Sequence, residues 1–279
     1  MTHPRLPPTL ICGVVRDGGE GLLKTLRVVQ GLKDHLEDWS AVFVTNDNTD
    51  GTDAVLAGWE ASNPEHHLIR LDGLAAAIPD RVDRIATARN FYLEHLRSRT
   101  AGRFQLLMVL DLDGPNEALD APTCVAAINA FDQRWDALFA NQRQAYYDIY
   151  ALRHDSWCPN DCWEQVKRAT RHPFRGRRRR AAVLKYIYCR QYRIPADHAP
   201  IPVRSAFGGL GFYRTDCLRQ CWYPIRPPLE PTACEHVGFN QAIKSRGGSL
   251  FILPGLLNDA PAEHLRAASG GPPPPGFGL

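Results

Sequence analysis

Apolar residues fall in short runs separated by polar punctuation. Residues 10–15 form such a run, which stops at Arg16, Asp17, Gly18 and Gly19 and predicts a strand entering a turn. Leu22, Leu23, Leu26 and Leu32, with Val28 and Val29, then recur at helical spacing. Residues 39–45 predict a second strand, closed by the polar stretch 46–51, after which Thr52 caps a helix carrying Val55, Leu56 and Trp59. Residues 67–71 predict a third strand. The spacing of Val82, Ile85, Ala86, Ala88, Phe91, Leu93 and Leu96 predicts an amphipathic helix over 81–96. Residues 104–110 are the most apolar strand candidate, and they end in Asp111, Leu112, Asp113 and Gly114.

Strands alternating with helices predict an α/β fold, a mainly parallel sheet buried on both faces by helices. Ligands bind such sheets beyond the carboxyl ends of their strands, where each polar motif above falls. The second half is less regular. Residues 145–152 predict a strand and the region around Trp157 and Trp163 a helix. Residues 205–213 read as a strand interrupted by glycines, 235–244 as a helix and 249–253 as a late strand. The expected organisation is a tail over 1–9, a regular strand-and-helix half over 10–115, a less regular half of the same domain over 116–266, and a disordered Pro/Gly tail over 267–279.

Composition narrows the class. With 279 residues and 44% hydrophobic content, the chain can bury a substantial core. It has neither a membrane-spanning apolar run nor an apolar leader in its first residues, so the expectation is a cytoplasmic protein. Eight cysteines do not make a disulfide scaffold at this length. The pairs Cys158/Cys162 and Cys217/Cys221 could hold zinc, but buried or idle thiols are the preferred reading. A net charge of +3 is too small to imply nucleic acid. The charge is uneven, however: Arg175 and Arg177 to Arg180 crowd one segment. That segment is either a solvated loop or a peripheral contact with the inner face of an anionic membrane or a lipid-linked acceptor.

Asp111 and Asp113 lie two apart after an apolar strand, so their carboxylates can converge on one cation. Hard oxygen ligands suit Mn²⁺ or Mg²⁺, which bridge carboxylates and substrate phosphates. Residues 109–114 resemble the haloacid-dehalogenase phosphatase hallmark, which would make Asp111 a nucleophile. That family places its motif on the first strand, whereas here three predicted strands precede it. A non-catalytic sugar or partner binder is the other alternative.

The sequence Val44-Thr-Asn-Asp-Asn-Thr-Asp-Gly-Thr52, the Ala88-Arg89-Asn90 core of its helix, Asp111-Leu112-Asp113 and the later Phe207-Gly208-Gly209 occur in the order seen in GT-A glycosyltransferases. The chain resembles that family, most closely its fungal capsule and Golgi α-mannosyltransferases and their bacterial relatives, over most of 10–253. The resemblance implies a metal-dependent glycosyltransferase using a nucleotide-diphosphate sugar, a GDP- or UDP-sugar, bound by a nucleotide-sugar-binding half over 10–115. A glycan or lipid-linked glycan is the implied acceptor, at an acceptor-binding, catalytic half over 116–266. It implies donor contacts from Arg16, Asn46, Asp47, Arg84, Arg89, Asp111, Gly208 and Gly209, and metal ligands in Asp111, Asp113 and His264. Glu235, at a predicted helix start, is the implied catalytic carboxylate, acting with Asp113. Each position also has a plain structural reading: an Asx turn at Asn46 and Asp47, a surface ion pair for Arg84, a cap for Asn90, a bulge at Gly208 and Gly209, and a favourable dipole contact for Glu235.

Overall fold

The computed structural model describes residues 5–171, 175–225 and 232–273. Alternating strands and helices open the chain: β1 (Thr9–Val15), α1 (Gly19–Leu32), β2 (Trp39–Thr45), α2 (Thr52–Ser62), β3 (His67–Arg70), the short α3 (Leu74–Ala77), α4 (Arg81–Ser98) and β4 (Leu106–Leu110). Next come α5 (Ala121–Asn129), β5 (Ala137–Gln142), α6 (Cys162–Ala169) and α7 (Arg175–Tyr186). The chain then runs through β6 (Ile201–Pro202), β7 (Leu210–Arg214), α8 (Glu235–Lys244) and β8 (Leu250–Asn258). The strands form one sheet in the order β3-β2-β1-β4-β7-β5-β8-β6.

The first four strands are parallel, and so is the β5–β8 pair. β7 runs antiparallel between β4 and β5, and β6 antiparallel at the edge. Alternation along each strand sends side chains to two cores. Leu10, Cys12, Leu107 and Val109 face Tyr92 and Leu93 of α4 and Val237 and Phe239 of α8. Ile11, Leu106, Met108 and Leu110 face Leu22, Leu26 and Val29 of α1, with Val125 and Ile128 of α5. Both faces are therefore covered, as the apolar strand sequences require.

β7 matters most for function. Its register pairs Leu110 with Leu210, so the loop entering β7 lies against the carboxyl end of β4. Asp111 N donates to Gly209 O at 2.9 Å there.

The second half departs from expectation in several places. The expected strand over 145–152 is a series of turns, while the strand lies earlier, in β5. Tyr146, Ile149 and Leu152 are apolar because they are buried, not because their backbone is extended. β5 carries Asn141 and Gln142 fully buried, and their polarity hid it. Gln142 Nε2 donates to Gly208 O and Asn258 Oδ1 and its Oε1 accepts from Tyr147 N, so both polar ends are satisfied.

Trp157 lies in a turn rather than a helix. α6 begins at Cys162, where Asp161 caps it by accepting from Glu164 N. The arginine run, read as a loop or contact segment, continues into helix α7, whereas 172–174 lie outside the described residues. The expected disordered tail is held at its start: Gly270 N donates to Gln191 O, and Gly271 bridges to Tyr192. Residues 1–4 and 274–279 lie outside the described residues. No described helix is long and apolar enough to cross a membrane.

Candidate active site

A cleft of about 600 Å³ opens at the carboxyl ends of β1, β2 and β4. Arg16 and Asp17 reach it from the end of β1, Asn46 from β2, and Asp111 and Asp113 from β4. Arg81, Arg84, Ala88 and Arg89 face it from α4. The second half contributes Tyr147, Asp148, Phe207, Glu235, His236, Glu263 and His264. Asp111 and Asp113 share this cleft because Leu112, between them, turns into the core. Asn116 Nδ2 pins the rim by donating to both Asp111 O and Gly209 O.

Arg89 joins the halves. Its Nε donates to Glu235 Oε1 at 3.1 Å and its Nη2 to Asp111 Oδ1 at 3.3 Å. The guanidinium also lies 5.2 Å from the Phe207 ring centre and 5.6 Å from that of Tyr223. At 3% exposure it is the buried counter-ion of two carboxylates, not the open phosphate fork expected of it.

One arginine does not balance the acids. Burial pushes the Asp111 carboxyl up to about 7 against the pull of Arg89, and Asp113, Asp148 and Glu235 add to the rise. Burial also raises Asp113. It raises Asp148 too, although Gly208 N and Ala151 N both donate to that carboxylate. Clustered carboxylates that resist ionisation make a site that gains from a cation.

The residues fit a divalent ion by donor chemistry. Asp111 and Asp113 offer hard oxygens, and His264 lies on the same cleft with its ring stacked on Tyr147 at 5.5 Å. Among the described residues no three His, Cys, Asp or Glu side chains form a ready-made cage. That suits an ion that keeps waters and shares its shell with substrate phosphates.

Several expected donor contacts are committed elsewhere. Asp47 does not line the cleft. Its carboxylate accepts from Gly73 N and Ala75 N at the start of α3, and its φ of +46° fixes a turn. Gly208 and Gly209 lie behind the rim rather than on it. Their φ values are +67° and +80°, and a Cβ would come 2.6 Å from Gln142 Nε2 or 2.7 Å from Pro115 Cβ. The chain itself, not a ligand, makes the close approach. Arg84 faces the cleft but spends Nη1 on the carbonyls of Ile78 and Pro79. Asn90 is bonded to both backbone groups of Tyr223. Asn46 keeps its place on the cleft, donating to Asp47 Oδ2, and Arg16 Nε donates to Asp47 O.

Sequence reasoning passed over Asp17, Arg81, Tyr147, Asp148 and Glu263. Asp148 had one signal: it is the single acid in the aromatic run 146–150.

No protein-family model and no curated protein matches this chain. Solved structures do. A mannosyltransferase from Pyrobaculum calidifontis, solved with GDP-Man and Mn²⁺, is similar over 99% of this chain at 13% identity, with a TM-score of 0.50. GalNAc-T7, solved with UDP, GalNAc and Mn²⁺, is similar over 95% of this chain at 15% identity and a TM-score of 0.51. This chain spans 59% and 46% of those chains respectively. The fold is that of the GT-A glycosyltransferases. Likeness to a fungal capsule or Golgi mannosyltransferase in particular has no counterpart among these structures.

Proposed function

We propose that the protein is a metal-dependent hexosyltransferase that moves a sugar from a GDP- or UDP-linked donor to a hydroxyl of a glycan or lipid-linked glycan. One observation carries this reading: a cleft at the carboxyl ends of parallel strands holds Asp111 and Asp113 with raised pKa values, short of positive charge. The GT-A fold, found in proteins solved with nucleotide or sugar ligands and Mn²⁺, supports it.

In this proposal Asp111, Asp113 and His264 hold the cation, which when bound would neutralise charge on the departing diphosphate. Asn46 and Arg16 contact the nucleoside side of the donor, and Arg81 adds positive charge on the cleft wall. Arg89 keeps Asp111 and Glu235 in register by pairing with both. Glu235 takes the proton of the acceptor hydroxyl as its oxygen bonds to the anomeric carbon, while the bond to the diphosphate oxygen breaks. Arg84 positions the loop before α4, and Gly208 and Gly209 let β7 approach β4.

Thermal-shift screening of UDP-, GDP- and CMP-sugars with and without Mn²⁺ tests the class. The expected result is stabilisation by one nucleotide family, and only with metal. Asp113→Ala should remove that response and transfer while the protein stays folded. Full transfer by this variant, or phosphate release from a generic phosphoester with an aspartyl-phosphate on Asp111, would overturn the reading.

A further inference from the structure

The densest charge on the chain lies outside the cleft. Residues 162–186 hold nine of the chain's 33 basic residues and one of its 30 acids, a net of +8, which leaves the remainder at −5. That one acid, Glu164, already pairs with Lys167, Arg168 and Arg171. Arg177 to Arg180 are exposed on α7, and no described carboxylate lies within ion-pair distance of them.

Helix stability does not explain their position. A helix N-terminus carries partial positive charge and favours acids. α7 instead has no acid in its first turn and opens with a run of arginines. The local rule is broken where function, not folding, sets the sequence.

α7 also has two faces. Ala182 is buried, and Val183 and Tyr186 are half-buried, whereas Arg177, Arg180, Ala181, Leu184 and Lys185 are exposed. Helical spacing puts Leu184 one turn from Arg180 and Ala181, in the middle of the cationic face. Leu184 is 45% exposed, and Trp163, on α6 packed against α7, is 37% exposed. Apolar side chains set among cations suit an interface of phosphate headgroups and acyl chains. Leucine and tryptophan enter the boundary there while the arginines reach the phosphates.

We propose that α6 and α7 form a docking surface for an anionic lipid bilayer. The surface is tied to the cleft. Gln191, five residues beyond α7, donates its Nε2 to the carbonyls of Tyr147 and His264, and the side chains of both line the cleft. A bilayer held at α7 therefore borders the half of the molecule assigned above to the acceptor. The docking itself does not depend on the glycosyltransferase reading.

Sedimentation of the full chain with vesicles tests this. Binding is expected to phosphatidylglycerol mixed into phosphatidylcholine, and not to phosphatidylcholine alone. Each cation near an anionic surface contributes roughly fivefold to partitioning, so Arg177→Glu with Arg180→Glu should lower it by at least about a hundredfold. The same double variant removes charges that oppose the helix dipole, so its melting temperature should equal or exceed that of the unaltered protein. Trp163→Ala with Leu184→Ala should remove the binding that survives high salt. Equal partitioning by the Arg177→Glu/Arg180→Glu variant would overturn the proposal, as would failure of the unaltered chain to bind the mixed vesicles. So would tight binding to a single-stranded oligonucleotide with none to vesicles, which would make the surface a nucleic-acid site.

Discussion

Replacing Arg89 with methionine isolates the charge balance at the cleft floor. Methionine retains an apolar stem and a sulfur contact for Phe207 and Tyr223, so most of the packing survives. What is lost is the cation between Glu235 at 3.1 Å and Asp111 at 3.3 Å. Glu235 is almost wholly buried, and removing one partner of a buried pair costs about 3–5 kcal/mol. For a chain of this size that corresponds to a fall in melting temperature of roughly 6–20 °C.

The loss should be smaller at pH 5.5 than at pH 8. Without Arg89, whose charge lowers it, the already raised Asp111 carboxyl rises further, so stability is present while it is protonated and is lost as pH rises through its folded value. Urea unfolding of Arg89→Met, Glu235→Gln and the double variant gives a closed cycle. Glu235→Gln should recover part of the Arg89→Met loss, with a coupling of about 1.5 kcal/mol or more and unchanged m-values. A loss below about 1 kcal/mol, or zero coupling, would show that Arg89 is not the counter-ion described here.

Asp111→Asn removes a carboxyl held at about 7 and should make the metal-free protein more stable than the unaltered chain at pH 8 while abolishing transfer. Unfolding at pH 5 and 8 checks it, and a variant less stable at pH 8 would contradict the burial argument. His95 is held down to about 4 by burial, with His67 and Arg99 adding, so the unfolded chain binds its proton more readily between about 4 and 6.5. Stability is therefore lost as pH falls through that window, and His95→Gln should flatten the slope of unfolding free energy against pH there. Gly209→Ala must accommodate φ +80° and a Cβ 2.7 Å from Pro115, which should cost about 2–4 kcal/mol by thermal unfolding. A neutral outcome would mean that the β4–β7 approach is looser than its geometry.

The sequence by itself determined the first half of the fold. Runs such as 39–45 and 104–110 are buried on both faces, so composition alone marks them as strands, and the polar residues that end them fall where the cleft opens. α8 was legible to its ends because helical spacing and an acidic first turn agree. Asp111 and Asp113 were singled out by their spacing together with their place at the end of an apolar strand. What lay 100 or more residues apart was not legible. Arg89 looked like a phosphate ligand until β7, inserted antiparallel, and α8 brought Glu235 against it, 146 positions away. Asp148 read as part of a strand because aromatic burial and strand patterning look alike in a short window. Asp47 and Gly208 carry the right chemistry for a donor site, yet chain geometry gives the first to α3 and the second to Gln142 and Asn258. Periodicity records how each segment meets the core. Which charges meet one another is decided only when the sheet closes, because that pairing depends on distance in space.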